Sequence, residues 1–168
     1  MALDRPRIVA EAVALLDEGG LDGVTLRRLA QRLGVQAPTL YWHIRNKARL
    51  INELGEAILA DQLASPTPAQ DGQPWHDWLI GLAQRLRRAM LAHPDGARVV
   101  SAAHLSMTMA AVSELAMSTL VERGPPLHRA RLTVLAVQHF TIGHVLAEQS
   151  PPPDKAAVDG FDQEAFAR

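Results

Sequence analysis

Apolar residues in the first third of the chain recur at helical rather than alternating spacing. Ile8, Ala12, Leu15 and Leu16 fall in steps of three and four, with Val9 and Val13 widening the stripe, which predicts an amphipathic helix over residues 6–18. Asp4 stands where an N-cap belongs, Pro6 suits a first turn, and Gly19-Gly20 ends the run. Leu21 and Val24 then cross back towards the same core. Leu26, Leu29, Ala30 and Leu33 form a buried stripe over residues 26–33 behind a Thr25 cap. Gly34 follows as the residue best able to take a left-handed turn, and Val35 plugs the core after it. A third, short helix begins near Ala37-Pro38 and runs to about His43, and Asn46 caps a fourth over residues 47–63. Two short helices joined by a glycine turn, the second rich in polar and aromatic tips, make the outline of a helix-turn-helix.

The pattern stays helical beyond this point. Residues 64–74, ASPTPAQDGQP, hold three prolines and no apolar period and read as a linker. Residues 75–91 turn Trp78, Leu79, Leu82, Leu86 and Met90 inward, His93-Pro94-Asp95-Gly96 is a turn, and a short helix follows to about Ser101. Residues 105–123 form a helix lined with Met107, Met109, Leu115, Met117 and Leu120. Gly124-Pro125-Pro126 breaks it, and residues 127–149 make a long apolar helix. The last eight residues, FDQEAFAR, read as the opening of another helix. With no strand pattern and no repeat, the fold class is all-α: an N-terminal three-helix helix-turn-helix head and a helical ligand-binding and dimerisation body.

Composition narrows the function classes. At 168 residues, 48% hydrophobic and 21% charged, the chain is that of a globular protein rather than a disordered one. Having no cysteine, it is without disulfides, thiolate zinc sites or thiol nucleophiles, which fits a reducing cytoplasm as the expected location. The N-terminus has no apolar signal core and no stretch reaches membrane-spanning length, so no membrane partner is expected. The net charge of −1 hides an asymmetry. Between residues 25 and 50, Arg27, Arg28, Arg32, Arg45, Lys47 and Arg49 meet no acidic residue. A basic block of this kind suits a polyanion-binding head, although a solvated basic face gives the same pattern.

Residues 39–43, Thr-Leu-Tyr-Trp-His, are the most informative in the chain. Leu40 can enter the core while Thr39, Tyr41, Trp42 and His43 project outwards. Tyr, Thr and His can donate to phosphate oxygens, and Trp and Pro can pack on thymine methyls or sugars. Arg27 is placed to reach a guanine edge or a phosphate. The alternative is that Tyr41 and Trp42 pack the head against the body.

The run 23–50, GVTLRRLAQRLGVQAPTLYWHIRNKARL, resembles the DNA-binding domain of the TetR family, and specifically its tetracycline-repressor branch. The similarity continues through Trp75, Asp77 and Leu79, the turn at residues 93–96, and HFTIGHVL at residues 139–146. The resemblance implies that Arg27, Pro38, Thr39 and Trp42 address base edges or methyl groups, and that Tyr41, His43 and Lys47 grip the phosphate backbone. Ala37 departs from the branch, which carries a base-reading amide there, and Leu26 replaces a small hydroxyl residue. An alanine cannot hydrogen-bond adenine, so the expected operator differs from the tetracycline operator. At the places where the branch holds a drug–magnesium chelate, this chain has Leu63, Leu82, Val100, Ala103 and Ala147. None offers magnesium an oxygen, so the expected effector is a small, rather apolar molecule, with no metal and no cofactor. His104 and Glu148 lie one residue from two of these places, where a register shift would restore a ligand. Candidate lining residues are Leu82, Leu86, Val100, His104, Met107, Met117 and His139, each of which plain core packing would also explain.

The domain reading is a helix-turn-helix head over residues 1–46, a connecting helix over 47–63, and a ligand-binding and dimerising body over 64–168. The branch completes its dimer interface with a further long helix after the one at 127–149, and that last helix is expected to be missing here. The expected protein is a repressor that binds a palindromic double-stranded DNA operator as a homodimer and is released by its effector. A ligand carrier of the same fold that no longer binds DNA is the alternative. An enzyme finds little support: His139 and His144 are five apart rather than an i, i+4 pair, and no HExxH, phosphate loop or nucleophile elbow is present.

Overall fold

The computed structural model describes residues 3–151, and among these it holds eight α-helices and no strand. They are α1 Arg5–Gly23, α2 Leu26–Leu33, α3 Ala37–His43, α4 Lys47–Leu63, α5 Trp75–Leu91, α6 Gly96–Ala102, α7 Met107–Glu122 and α8 Leu127–Gln149. The helix opening expected in the last eight residues lies outside the described residues.

Local chemistry sets most of the boundaries. The side chains of Asp4, Thr25 and Asn46 accept hydrogen bonds from the amides of Arg7, Arg28 and Arg49 at 2.9, 3.1 and 2.9 Å. Each satisfies an amide the helix start leaves free, worth about 1 kcal/mol. Gly34 closes α2 in the left-handed conformation, φ 68°. The first helix departs from the sequence expectation. It is broken at Gly19 and Gly20, as their pairing suggests, but resumes for one turn to Gly23 and so delivers Leu21 to the core.

α7 also starts differently. It begins at Met107 rather than Leu105, because the Ser106 hydroxyl takes the capping role and accepts from the Met109 amide at 3.0 Å. Met107 is thereby left on the outer side, 78% exposed, and does not line α7's inner face as the periodicity suggests.

Ile8, Leu16, Leu29, Leu40, Ile44, Leu50 and Leu54 are fully buried and form the core of the head. Leu26 and Val35 are only half-buried against it, since each sits at the rim where the chain turns. α4 packs on α1 on one side and on α5, α6 and α7 on the other. Its buried Leu50, Leu54, Ile58, Leu59 and Leu63 join one apolar cluster that runs from Ile8 to Val145.

In the body, α7 and α8 form a hairpin, α5 lies alongside α8, and α6 fills the space between α4 and α8. Gln149 ties the end of α8 down. Its amide nitrogen donates to the carbonyls of Met90 and His93 at 3.2 and 2.8 Å, and its oxygen accepts from the Ala97 amide at 3.0 Å. The segment between α4 and α5 is pinned rather than loose. Arg123 donates to the carbonyls of Ala69, Gln70 and Gln73 at 3.4, 3.0 and 3.1 Å, and the Trp78 indole donates to Thr67 O at 2.9 Å.

Head and body also meet through polar side chains. His93 Nδ1 lies 2.7 Å from Asp17 Oδ1, and Arg98 bridges Asp22 and Asp95 at 3.2 and 3.1 Å. These links join α1 to the turn and helix around α6.

Candidate DNA interface and effector groove

α3 is seven residues long, and one of them, Leu40, anchors it at 1% exposure. The i, i+3 and i, i+4 neighbours of a single buried position cannot all be buried in so short a helix. Ala37, Pro38, Thr39, Tyr41, Trp42 and His43 are accordingly exposed, Trp42 at 88% and Tyr41 at 49%. The alternative of packing the head on the body is closed for Trp42 by that figure. A tryptophan so fully in solvent carries an apolar cost that a binding partner would remove.

The basic residues around α3 divide into two groups. Arg32 turns away towards α1, where it pairs with Glu11 at 2.7 Å and with Glu18, and these carboxylates raise its already high pKa further. Arg28 donates to the Gly23 carbonyl at 2.9 Å. Arg32 is thereby withdrawn from the basic block that the sequence presents, while Arg28 keeps its charge and has one guanidinium nitrogen engaged by a neutral carbonyl. Arg27, Arg45, Lys47 and Arg49 are exposed and make no salt bridge with any described residue. Four free cations thus flank the exposed α3 side chains, an arrangement able to receive a polyanion with base edges or methyl groups at its centre.

The candidate effector residues do not converge on one cavity. Leu82 and Leu86 face a small apolar space of about 20 Å³ with Leu63, Val112 and Val134, room for little more than a water molecule. Val100 and His139 line a separate, open groove of about 410 Å³ between α4, the α6–α7 connection and α8. Met109 and Gln138 border both spaces and form the partition. Gln138 Nε2 donates to Ser113 Oγ at 2.7 Å, and that hydroxyl donates to the Met109 carbonyl at 2.7 Å, so the partition is hydrogen-bonded in place. His104, Met107 and Met117 line neither space. His104 and Met107 are exposed, and Met117 is half-buried against the core.

Sequence reasoning missed Ser106 and Gln138, both polar residues of the groove. Ser106 has a local signal, a cap hydroxyl three residues before Met109. Gln138 has none, because only the α7–α8 pairing sets its position.

A third concavity, of about 570 Å³, runs along the outer side of α5 and α8 between Trp75, Ile80, Ala136 and Phe140. Ile80, Leu132 and Phe140 are exposed on these helices, Phe140 at 73%. At one end of this concavity Arg87 chelates Glu148, whose carboxylate also lies 2.9 Å from His144 Nε2. Glu148 is therefore engaged on the α5 side and does not line the groove at Val100.

Comparison with known proteins agrees with this geometry. Residues 8–54 match the profile of bacterial regulatory proteins of the tetR family, and residues 67–167 that of the tetracyclin repressor-like C-terminal domain. The chain is 36% identical to the class A tetracycline repressor of transposon 1721 from Escherichia coli, covering 93% of this chain and 80% of that protein. It is 38% identical to the class D repressor from Escherichia coli, covering 88% and 67%. Among solved structures, TetR Q116A from Acinetobacter baumannii in complex with minocycline is 34% identical with a TM-score of 0.80, covering 98% of this chain and 87% of that one. BioQ with its double-stranded DNA operator is 29% identical with a TM-score of 0.78, covering 88% of each. The exposed α3, the helical body and both profile matches lead to one assignment: the chain belongs to the TetR family of bacterial transcriptional regulators.

Proposed function

We propose that this protein is a repressor that binds a palindromic DNA operator as a homodimer and is released by a small, rather apolar molecule. The observation that carries the reading is α3 itself, with Trp42 and Tyr41 in solvent between the free cations Arg27, Arg45, Lys47 and Arg49. In this reading Arg27, Pro38, Thr39 and Trp42 meet base edges and methyl groups, while Tyr41, His43 and Lys47 hold phosphates. Ala37 reads no base by hydrogen bonding, which shifts the operator away from the tetracycline operator. The apolar side chains on the outer faces of α5 and α8 support a second copy as the partner, because a monomer would leave Phe140 and Leu132 in water.

The domain organisation follows the same reading. Residues 1–46 form the helix-turn-helix DNA-binding domain, residues 47–63 are the connecting helix, with Lys47 at its start facing the phosphates, and residues 64–168 sense and dimerise.

The side chains present do not fit a magnesium–tetracycline chelate. Leu63, Leu82 and Val100 are buried and apolar, the side chains of Ala103 and Ala147 have no donor atom, and Glu148 is held by Arg87. The groove at Val100 and His139 carries Ser101, Ser106, Gln138 and His139 as its polar groups among apolar neighbours, with no carboxylate, lysine or arginine in its lining, which suits an effector with a few hydrogen-bonding atoms.

Fluorescence anisotropy against a pool of short palindromic duplexes at two salt concentrations tests the reading. Selective binding to one duplex that weakens steeply with salt is the expected result. A well-folded protein that binds no duplex at low salt overturns it in favour of a ligand-binding protein of the same fold.

A further inference from the structure

Two carboxylates stand one helical turn apart on α4 and face opposite partners. Glu53 pairs with Arg5, the first residue of α1 in the head. Glu56 reaches the body, where it accepts from Ser106 Oγ at 2.8 Å, from the Thr108 amide at 3.0 Å, and from the Thr108 hydroxyl. One side chain therefore receives three donors from the first residues of α7, and its negative charge sits at that helix's start. Beside it, Gly55 packs so closely on α6 that a Cβ there would lie 2.5 Å from Ala103 Cβ.

Ser106 and Ala103 also line the groove of about 410 Å³ assigned to the effector. Gly55 and Glu56, consecutive on α4, thus bear on two residues that a ligand would contact. Ser106 does three things at once: it faces the groove, caps α7 through the Met109 amide, and donates to Glu56. Thr108, which a single loop shift would carry along, is held by the same carboxylate.

We propose that Glu56 is a positioning residue that ties the angle of the DNA-binding head to the wall of the effector groove, through Ser106 and Thr108. The inference rests on the regulator reading for its biological use, but its geometry stands without DNA. With the groove empty, the carboxylate holds α4 against the start of α7, and Glu53 passes that position to α1. A ligand that displaces Ser106 removes donors from Glu56 and frees α4 to pivot. A charged acceptor suits this task because its hydrogen bonds are directional and it is costly to leave half-satisfied.

The natural chain has no cysteine, so introduced cysteines label uniquely. Spin labels at Gln31→Cys in the head and Glu114→Cys in the body, both exposed positions, report the head–body distance by pulsed electron resonance. Labelled protein is diluted into unlabelled protein so that only distances within one copy are read. Glu56→Ala is expected to broaden the distribution roughly two-fold, the mark of a hinge freed between two packings. Ser106→Ala with Thr108→Val is expected to do the same from the other side, while Glu56→Gln, which keeps one acceptor oxygen, lies between. Distributions that superimpose on the parent in all three variants, each shown to be folded by circular dichroism, overturn the proposal.

A second arm replaces the unknown effector by a side chain. Gly143 lines the groove and a Cβ there meets open space, so Gly143→Met fills part of it. The expected result is a shift in mean distance in the parent and none in the Glu56→Ala background. The same shift in both backgrounds, or in neither, overturns the coupling. Neither arm needs an operator, so a protein that fails to bind DNA can still carry this latch, and a DNA-binding protein can still lack it.

Discussion

Asp95 Oδ2 accepts a hydrogen bond from the Leu21 amide at 2.9 Å, across seventy-four residues of sequence. The carboxylate comes from the turn before α6, and the amide belongs to the turn of α1 that follows the break. Gly20 makes the approach possible. It holds φ 63° and ψ −174°, a region open essentially to glycine alone, and a Cβ there would lie 2.5 Å from the same oxygen.

Gly20→Ala is therefore expected to cost about 1–3 kcal/mol from backbone strain, and more if the Asp95 contact is lost with it. Thermal unfolding checks it: a chain of this size loses about 2–4 °C per kcal/mol. Asp95→Ala leaves the Leu21 amide without its acceptor, and the double variant should cost less than the two separate losses together, since they break one contact. Strict additivity would show that the contact does not couple head to body.

Glu56 predicts a pH dependence. Burial pushes its carboxyl upwards, but donation by the side chains of Thr108 and Ser106 and by the amides of Thr108 and Met107 outweighs this and holds it below the ordinary glutamate value. A depressed carboxylate contributes stability that is fully present above its unfolded value, about 4.3, and is lost as pH falls through the lower folded value. Urea midpoints of the parent and Glu56→Gln should thus differ at neutral pH and converge in the acid range below 4.3. A gap that stays constant with pH would remove the carboxylate charge from the account.

The two groups of basic residues predict opposite phenotypes. Arg27→Ala is expected to weaken specific DNA binding by about 1–3 kcal/mol without changing the fold, and Lys47→Ala to weaken all duplexes alike and lower the salt slope by about 1. Arg32→Ala should leave the salt slope untouched and lower the melting temperature slightly, because its charge is directed at Glu11 and Glu18. Equal salt slopes for all three variants would contradict this division.

These assignments also show what a single sequence can and cannot display. The helix starts were legible because Asp4, Thr25 and Asn46 act on amides three residues away. The exposure of Trp42 was legible because α3 has one apolar position to bury. Arg32 was misleading: its partners lie fourteen and twenty-one residues earlier, beyond any local pattern. The same holds for Asp17 with His93, for Glu56 with Ser106, and for Arg123, which pins a segment that reads as a free linker. The effector residues scattered for a related reason. Periodicity identifies an inward face, but whether that face meets a neighbour or a void depends on how α4, α7 and α8 cross.

Magnesium should have no effect on drug response. Saturating tetracycline with magnesium is expected to leave the melting temperature where tetracycline alone leaves it, since a ligand stabilises only through sites the native state offers. A magnesium-dependent rise would mean that oxygen donors other than those at residues 63, 82, 100, 103 and 147 have been recruited.

The apolar cluster that passes without interruption through α4 has a consequence for how such proteins can be recombined. A cut at Asn46 would strip the head of Leu50 and Leu54 and expose a raw face on both fragments. Operator preference and effector response are thus not separate cassettes that can be exchanged at the end of the recognition motif. A chimaera has to carry α4 with one parent or the other, and either choice grafts a foreign seam. Transplanted with the head, α4 leaves behind Ala103 opposite Gly55 and Ser106 opposite Glu56, so a new body that does not supply the same pair breaks the coupling proposed for Glu56.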